Sequence, residues 1–487
     1  MRVVLDYDNV RHKGILTSEI FPAIREYFSV ENPNARFGKR FYVGYRPPSR
    51  TYALTPQGRF EPRLTWEIID YVKKEYPLAT IEFTDSLKKI IDPPPLGNVE
   101  IAKLGLELRD YQEGSILEAI QRRCGVIVLP TSAGKTLVMA TLTQTIRSVF
   151  DTSFRCLILV PDIQLVRQSY GDFVEYGIPK NEITAWTGND EPDPSARIII
   201  ANSQILLSKK QDLELLKYVN LLIVDEAHKI RHGNQINKVL KKIPAKFRFG
   251  FTGTLPDEKM DRWNIIGQLG PLIYERKSID LREQKHITDV KVARLLLHYH
   301  NPPLFSRGTM ANPTEGFEEE ILFLQDNGFR NKVLKNIIEK ITNNCLVLVD
   351  RIAHGELLYE YLSSLTGKEV FFIRGSMELD ERESIRKIME NNHNVVCIAI
   401  SKIFSTGVNI KNLHYVFFAA IGKSKIKLIQ SIGRSLRQHE SKKEAMIFDL
   451  CDQLYYGIKH SEERSKIYKE EQIQITNRDV YERNHSS

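Results

Sequence analysis

Leu129-Pro130-Thr131-Ser132-Ala133-Gly134-Lys135-Thr136 follows directly on the apolar run Gly125-Val126-Ile127-Val128 and leads into Leu137-Val138-Met139-Ala140-Thr141-Leu142. A β-branched run, a short loop with one Gly and a stretch of helix formers read as strand, tight turn and helix start. Such a turn aims several backbone N–H groups and the positive end of a helix dipole at one anion. Ala133 and Gly134 keep the loop small, Thr131 and Ser132 add hydroxyls, Lys135 reaches terminal phosphates and the Thr136 hydroxyl suits Mg²⁺. Leu129 stands where the common phosphate-loop pattern begins with Gly. A Gly-Lys-Thr at a helix start also arises by chance, so the reading turns on what lies downstream.

Downstream, Leu221-Leu222-Ile223-Val224 delivers Asp225-Glu226-Ala227-His228. Four apolar residues ending in two acids describe a buried strand with charges at its carboxyl rim, where ligands sit in open α/β sheets. Asp225 suits Mg²⁺, directly or through water, and Glu226 suits the deprotonation of an attacking water. An isolated acidic pair would be a solvated strand end. A pair that follows a phosphate loop and precedes a second α/β region is a nucleotide site.

Around these motifs, short β-branched runs alternate with segments of helical length: 125–129, 156–160, 197–201, 221–225 and 247–251, then 345–349, 369–373, 395–399, 415–420 and 445–449. The alternation predicts an α/β protein with two tandem parallel-sheet domains. At 487 residues the chain exceeds one hydrophobic core. We expect an α+β accessory domain over 1–92, ending at Pro93-Pro94-Pro95, a first α/β domain over 93–290, a connector or insertion over 291–330, a second α/β domain over 331–459 and a polar tail over 460–487 read as a solvated helix. Lys and Arg exceed Asp and Glu by 69 to 61, a net charge of +8, which favours a polyanionic partner without specifying one. The five cysteines are scattered singly, with no metal-ligand spacing. No stretch reaches the ~20 apolar residues of a membrane span, so a soluble cytoplasmic protein is expected.

The combined motifs resemble the superfamily 2 helicases of the DEAH-like kind, over about residues 104–452. The resemblance implies RecA-like domains, ATP and Mg²⁺ as cofactors, and adenine reading by Arg109 and Gln112 in Leu108-Arg109-Asp110-Tyr111-Gln112. It places strand contacts at Pro161, Arg167, Ser203 and Gln204 of the first domain. In the second it places them at Arg374, Gly375, Ser401 and Thr406. Thr252 and Thr254 of Phe251-Thr252-Gly253-Thr254, with Gly407, would couple hydrolysis to movement. Gln430, Arg434 and Arg437 in Gln430-Ser431-Ile432-Gly433-Arg434-Ser435-Leu436-Arg437 would reach the γ-phosphate, guanidinium matching phosphate in geometry and charge. Asn409 stands where relatives often carry Asp.

Between residues 36 and 63 seven Lys or Arg and six aromatics face one acid, Glu61. Cations suit phosphates and rings suit unpaired bases, so Arg36, Lys39, Arg40, Arg46 and Arg50 are candidate nucleic-acid contacts; packing on Leu64-Thr65-Trp66-Glu67-Ile68-Ile69-Asp70-Tyr71-Val72 is the competing reading. With this domain, the chain looks most similar to the UvsW-type recombination and repair helicases of bacteriophages. That resemblance implies a monomeric motor on branched DNA such as forks, D-loops and four-way junctions, in a host cytoplasm if phage-encoded. Nothing in the spacing separates DNA from RNA. An RNA helicase, an ATP-gated annealing module without processive unwinding and the motor subunit of a restriction system remain open at this level.

Overall fold

The protein is described from a computed structural model covering all residues except 33–34, 36–47, 93–95, 97–98, 131–132, 151–152, 188–191, 208–213, 285–287, 306–314, 402–409, 411, 420–443 and 484–487. It divides into two units, essentially 1–276 and 277–487, with the short segment 130–133 grouped with the second. None of the described helices is long and apolar enough to cross a membrane.

The N-terminal region alternates apolar and polar residues over β1 (Arg2–Asp8) and β2 (Lys13–Ser18), which pair antiparallel. A small hairpin, β3 (Ser29–Glu31) with β4 (Arg50–Tyr52), stands apart, while β5 (Arg59–Phe60) and β6 (Thr80–Phe83) complete the sheet order β5-β2-β1-β6. Helix α1 (Thr65–Glu75) buries Ile68, Ile69 and Val72 against it.

The first large sheet follows α2 (Asp110–Arg122). It comprises β7 (Cys124–Val128), β8 (Cys156–Val160), β9 (Ile183–Trp186), β10 (Ile198–Asn202), β11 (Leu221–Asp225), β12 (Phe247–Thr252) and β13 (Leu272–Glu275), in the order β13-β7-β12-β11-β8-β10-β9. All pairs are parallel. Crossovers include α3 (Lys135–Arg147), α4 (Ile163–Glu175) and α5 (Lys259–Leu269). The five strands read from sequence are present, and β9 and β13 extend the sheet at its edges.

Helix α5 is apolar on two faces, and each face has its own core. Ile265 and Leu269 join the large sheet. Met260, Trp263 and Ile266 join the N-terminal core, where Trp263 lies 5.0 Å from the Phe28 ring. The contact is close: a Cβ on Gly267 would meet Glu61 Cβ at 2.6 Å. Glu61 also pairs with Lys13 and, at 2.7 Å, with Lys241. The N-terminal region therefore packs as part of the first unit, where the sequence suggested a separate domain beyond a stiff linker.

The second sheet opens earlier than expected. Residues read as the end of the first domain and the start of the connector form β14 (Asp289–His298), the longest strand. After α6 (Gly328–Lys340) come β15 (Cys345–Val349), α7 (Ile352–Ser363), β16 (Glu369–Ile373), α8 (Leu379–Asn391), β17 (Val395–Ile400), β18 (Tyr415–Phe418) and β19 (Glu444–Asp452). The expected solvated tail is α9 (Tyr455–Glu470) followed by β20 (Gln474–Tyr481). The order is β16-β17-β15-β18-β19-β14-β20, all parallel, so the chain's last strand closes the sheet beside β14. The face of α9 bearing Ser461, Arg464, Ile467 and Tyr468 is buried, which corrects the solvated-helix reading. Arg464 holds Asp449 at 2.8 Å and the Tyr468 hydroxyl donates to the same carboxylate.

Candidate nucleotide and nucleic-acid site

Parallel strands deliver their carboxyl ends to one rim, and the order β7-β12-β11 puts three of the predicted segments side by side there. The phosphate loop leaves β7, Thr252 ends β12 and Asp225 ends β11. Gly134 takes φ +74°, a left-handed conformation that glycine adopts without penalty, and caps α3. A Cβ there would come within 2.5 Å of Gln112 Nε2, so the loop lies tight against the candidate adenine reader. Gln112 is buried, and its Oε1 accepts from the Arg109 amide at 2.9 Å, while the Arg109 guanidinium donates to the Tyr111 hydroxyl at 3.2 Å. Lys135 donates to the Leu129 carbonyl at 3.2 Å, which holds its ammonium over the loop. Ala133 is buried and Thr136 opens the helix; Thr131 and Ser132 lie outside the described residues.

The acidic pair sits on a strained turn. Glu226 adopts φ +50°, uncommon for a residue with a side chain, at the start of a 3₁₀ turn over Ala227–Lys229. Burial drives the Asp225 carboxyl up, the Glu226 charge adds to the rise and the Lys135 ammonium opposes it. Burial pushes Glu226 up as well, but the His228 hydrogen bond and the charges of Lys135, His228 and Lys229 outweigh it and hold the carboxyl below the usual range. Neighbouring carboxylates with opposed shifts are the arrangement expected where one must stay a base.

His228 is the residue that sequence reading quoted but did not assign. Its Nδ1 lies 3.2 Å from Glu226 Oε2 and 3.0 Å from Thr252 Oγ1. The Thr252 hydroxyl donates to the Thr254 carbonyl at 2.8 Å, so its lone pairs face the ring and Nδ1 carries the shared proton. Glu226, His228, Thr252 and Thr254 thus form one hydrogen-bonded chain across β11 and β12. The Thr254 hydroxyl is buried without a hydrogen-bond partner among the described residues. The signal available in sequence was the His two residues after Glu226; the adjacency of the two strands was not.

The strand-contact candidates also gather at strand ends. Pro161 and Arg167 follow β8, and Ser203 and Gln204 follow its neighbour β10, with Arg167 and Gln204 exposed. In the second unit Arg374 and Gly375 follow β16, both exposed, with the Arg382 guanidinium donating to both their carbonyls. Ser401 follows β17 and is buried, its hydroxyl donating to Asp350. Arg50 pairs with Glu26 at 3.0 Å and donates to Ser29 Oγ, which gives it a role within its own hairpin. Arg36, Lys39, Arg40, Arg46, Thr406, Gly407, Asn409, Gln430, Arg434 and Arg437 lie outside the described residues.

Residues 105–257 match the family described as type III restriction enzyme, res subunit, and residues 330–439 match the helicase conserved C-terminal domain. The chain is similar to the ATP-dependent DNA helicase uvsW of Enterobacteria phage T4, 26% identical with 97% of this chain and 98% of that one covered. It is also similar to the general transcription and DNA repair factor IIH helicase/translocase subunit XPB of Danio rerio, 26% identical over 74% of this chain and 46% of the relative. Among solved structures, S. cerevisiae Dbp5 bound to RNA and ADP BeF3 shares the fold, with a TM-score of 0.54, 16% identity and coverage of 76% of this chain and 89% of that one. With helicase families on both parallel-sheet regions and a phosphate loop wired to an acidic turn in the first, the chain belongs to the superfamily 2 helicases and is an ATP-dependent DNA helicase.

Proposed function

We propose that the chain hydrolyses ATP at Lys135, Asp225 and Glu226 and uses the cycle to remodel branched DNA. One observation supports this best: the hydrogen-bonded chain from Glu226 through His228 to Thr252 and Thr254 joins the acidic turn to the coupling segment. Lys135 binds the terminal phosphates and Glu226, kept ionised, takes the proton of the attacking water. The Thr136 hydroxyl and Asp225 offer the hydroxyl-and-carboxylate set that Mg²⁺ takes beside nucleotide phosphates; when bound, the ion neutralises charge on the phosphate oxygens. Gln430, Arg434 and Arg437 complete the reaction from the second unit, and their engagement and release convert turnover into movement.

The strand-end positions Pro161, Arg167, Ser203, Gln204, Arg374, Gly375, Ser401 and Thr406 hold the DNA track. The preference for branches rests on the resemblance to phage recombination and repair helicases, as does action by a monomer in the cytoplasm. The deciding experiment measures ATP hydrolysis with no nucleic acid and with single strand, duplex, fork and four-way junction, each in DNA and RNA. Forks and junctions of DNA should stimulate most. Equal stimulation by single strands would remove branch specificity, and preferential stimulation by RNA would replace the substrate.

A further inference from the structure

Beneath the carboxyl ends of β15 and β19 lies a cavity of about 80 Å³ that the hydrolysis site does not use. Phe317, Ile321, Leu324 and Leu450 give it apolar walls. Arg330 and His354 line it too, and they are 1% and 3% exposed. Arg330 commits Nε and Nη2 to Asp452 and the Ala419 carbonyl, but its Nη1 has no hydrogen-bond partner among the described residues. His354 Nε2 lacks one as well. Leaving such groups buried and unpaired is costly, and two lining one cavity are a preformed complement to a guest.

The lining selects the guest's chemistry. Asp350, Asp452 and Glu320 disfavour an anion, and Arg330 and Arg464 disfavour a cation. Asp452 already serves Arg330, Glu320 accepts from the Tyr456 and Gly457 amides, and Asp350 accepts from Ser401, so the carboxylates are engaged. Burial and the Arg330 charge press His354 down to about 3, which leaves a neutral ring. At roughly 10–15 Å³ per water the space suits one six-membered ring. We propose that this cavity binds a pyrimidine base of the thymine or uracil type, a ring carbonyl accepting from Arg330 Nη1 and the adjacent ring N–H donating to His354 Nε2. The base can come from the bound strand, a source that rests on the helicase reading, or from a free nucleoside, which does not.

The test uses the full chain without ATP, so that its outcome is separate from that of the motor reading. Calorimetry measures thymidine against N3-methylthymidine, and fluorescence anisotropy measures an oligo-dT strand against the same strand carrying N3-methylthymine. Methylation removes the donating N–H and should weaken binding roughly tenfold in the arm that supplies the ligand. His354→Phe, which keeps the ring shape, should abolish that discrimination, and Leu324→Trp should fill the cavity and abolish it without touching either polar group. Thermal melts confirm that each variant is folded. Discrimination in the strand arm alone identifies a base of the track, and discrimination in the free arm identifies a small-molecule site. Absence of discrimination in both arms for the wild type, or its survival in a folded His354→Phe variant, overturns the proposal.

Discussion

At the scale of single residues, the site makes separable demands on charge. Lys135→Ala should weaken ATP binding, because it removes ground-state charge, whereas Glu226→Gln should bind ATP normally and lose at least roughly 10²-fold in turnover. Nucleotide binding and single-turnover hydrolysis distinguish the two. The pH dependence follows from the carboxyl's position. Glu226 is depressed, so activity that needs its ionised form is present at neutral pH and is lost as pH falls through its lowered value. His228→Ala removes a lowering contribution, and the acid limb of its kcat profile should therefore move upward; an unmoved limb would separate His228 from Glu226. Lys135, Asp225 and Glu226 were legible because their residue types and strand-end positions carry the chemistry. The His228–Thr252 bond was not, since it depends on β12 lying beside β11.

At the scale of elements, the second sheet shows where local pattern misleads. Strands buried on both faces, such as Cys345–Val349 and Val395–Ile400, announce themselves as unbroken apolar runs. β20 reads as polar because most of it is exposed at a sheet edge, and its partner β14 is distant in sequence. Likewise α9 hides its role behind its many charges: Arg464 is a core residue because Asp449 meets it. Arg464→Met should leave the Asp449 charge buried and unpaired and cost about 3–5 kcal/mol, read by denaturant titration. Truncation after residue 454 removes α9 and β20 together, and should expose one edge of β14 and lower the solubility and melting temperature of the second unit. Wild-type stability of that truncation would restore the dispensable-tail reading.

At the scale of the whole molecule, the N-terminal region is bound to the motor by a shared core. Deleting residues 1–92 exposes Met260, Trp263 and Ile266, and at about 1.5–3 kcal/mol for each large apolar side chain the first unit should be destabilised by several kcal/mol. A deletion that also replaces these three with polar residues should recover solubility, which differential scanning calorimetry and light scattering can check. Loss of junction affinity in the simple deletion would then be separable from loss of fold. The second unit's contribution is tested by Arg434→Ala and Arg437→Ala, each expected to reduce turnover by roughly 10³-fold while ATP still binds. Full activity in a chain ending near residue 330 would show that the first unit hydrolyses ATP alone.

The sequence by itself determined the α/β class, the two parallel sheets and the residues of the phosphate loop and acidic turn. These rest on local signals: apolar runs of strand length, a glycine before a helix and acids at a strand's carboxyl end. Only the tertiary structure decided the edges of the sheets, the joining of β14 with β20 and the attachment of the N-terminal region through α5. The same is true of the His228 bridge and the cavity of Arg330 and His354. Each of these depends on contacts between residues distant in the chain, where burial and pairing are set by neighbours that no local window contains.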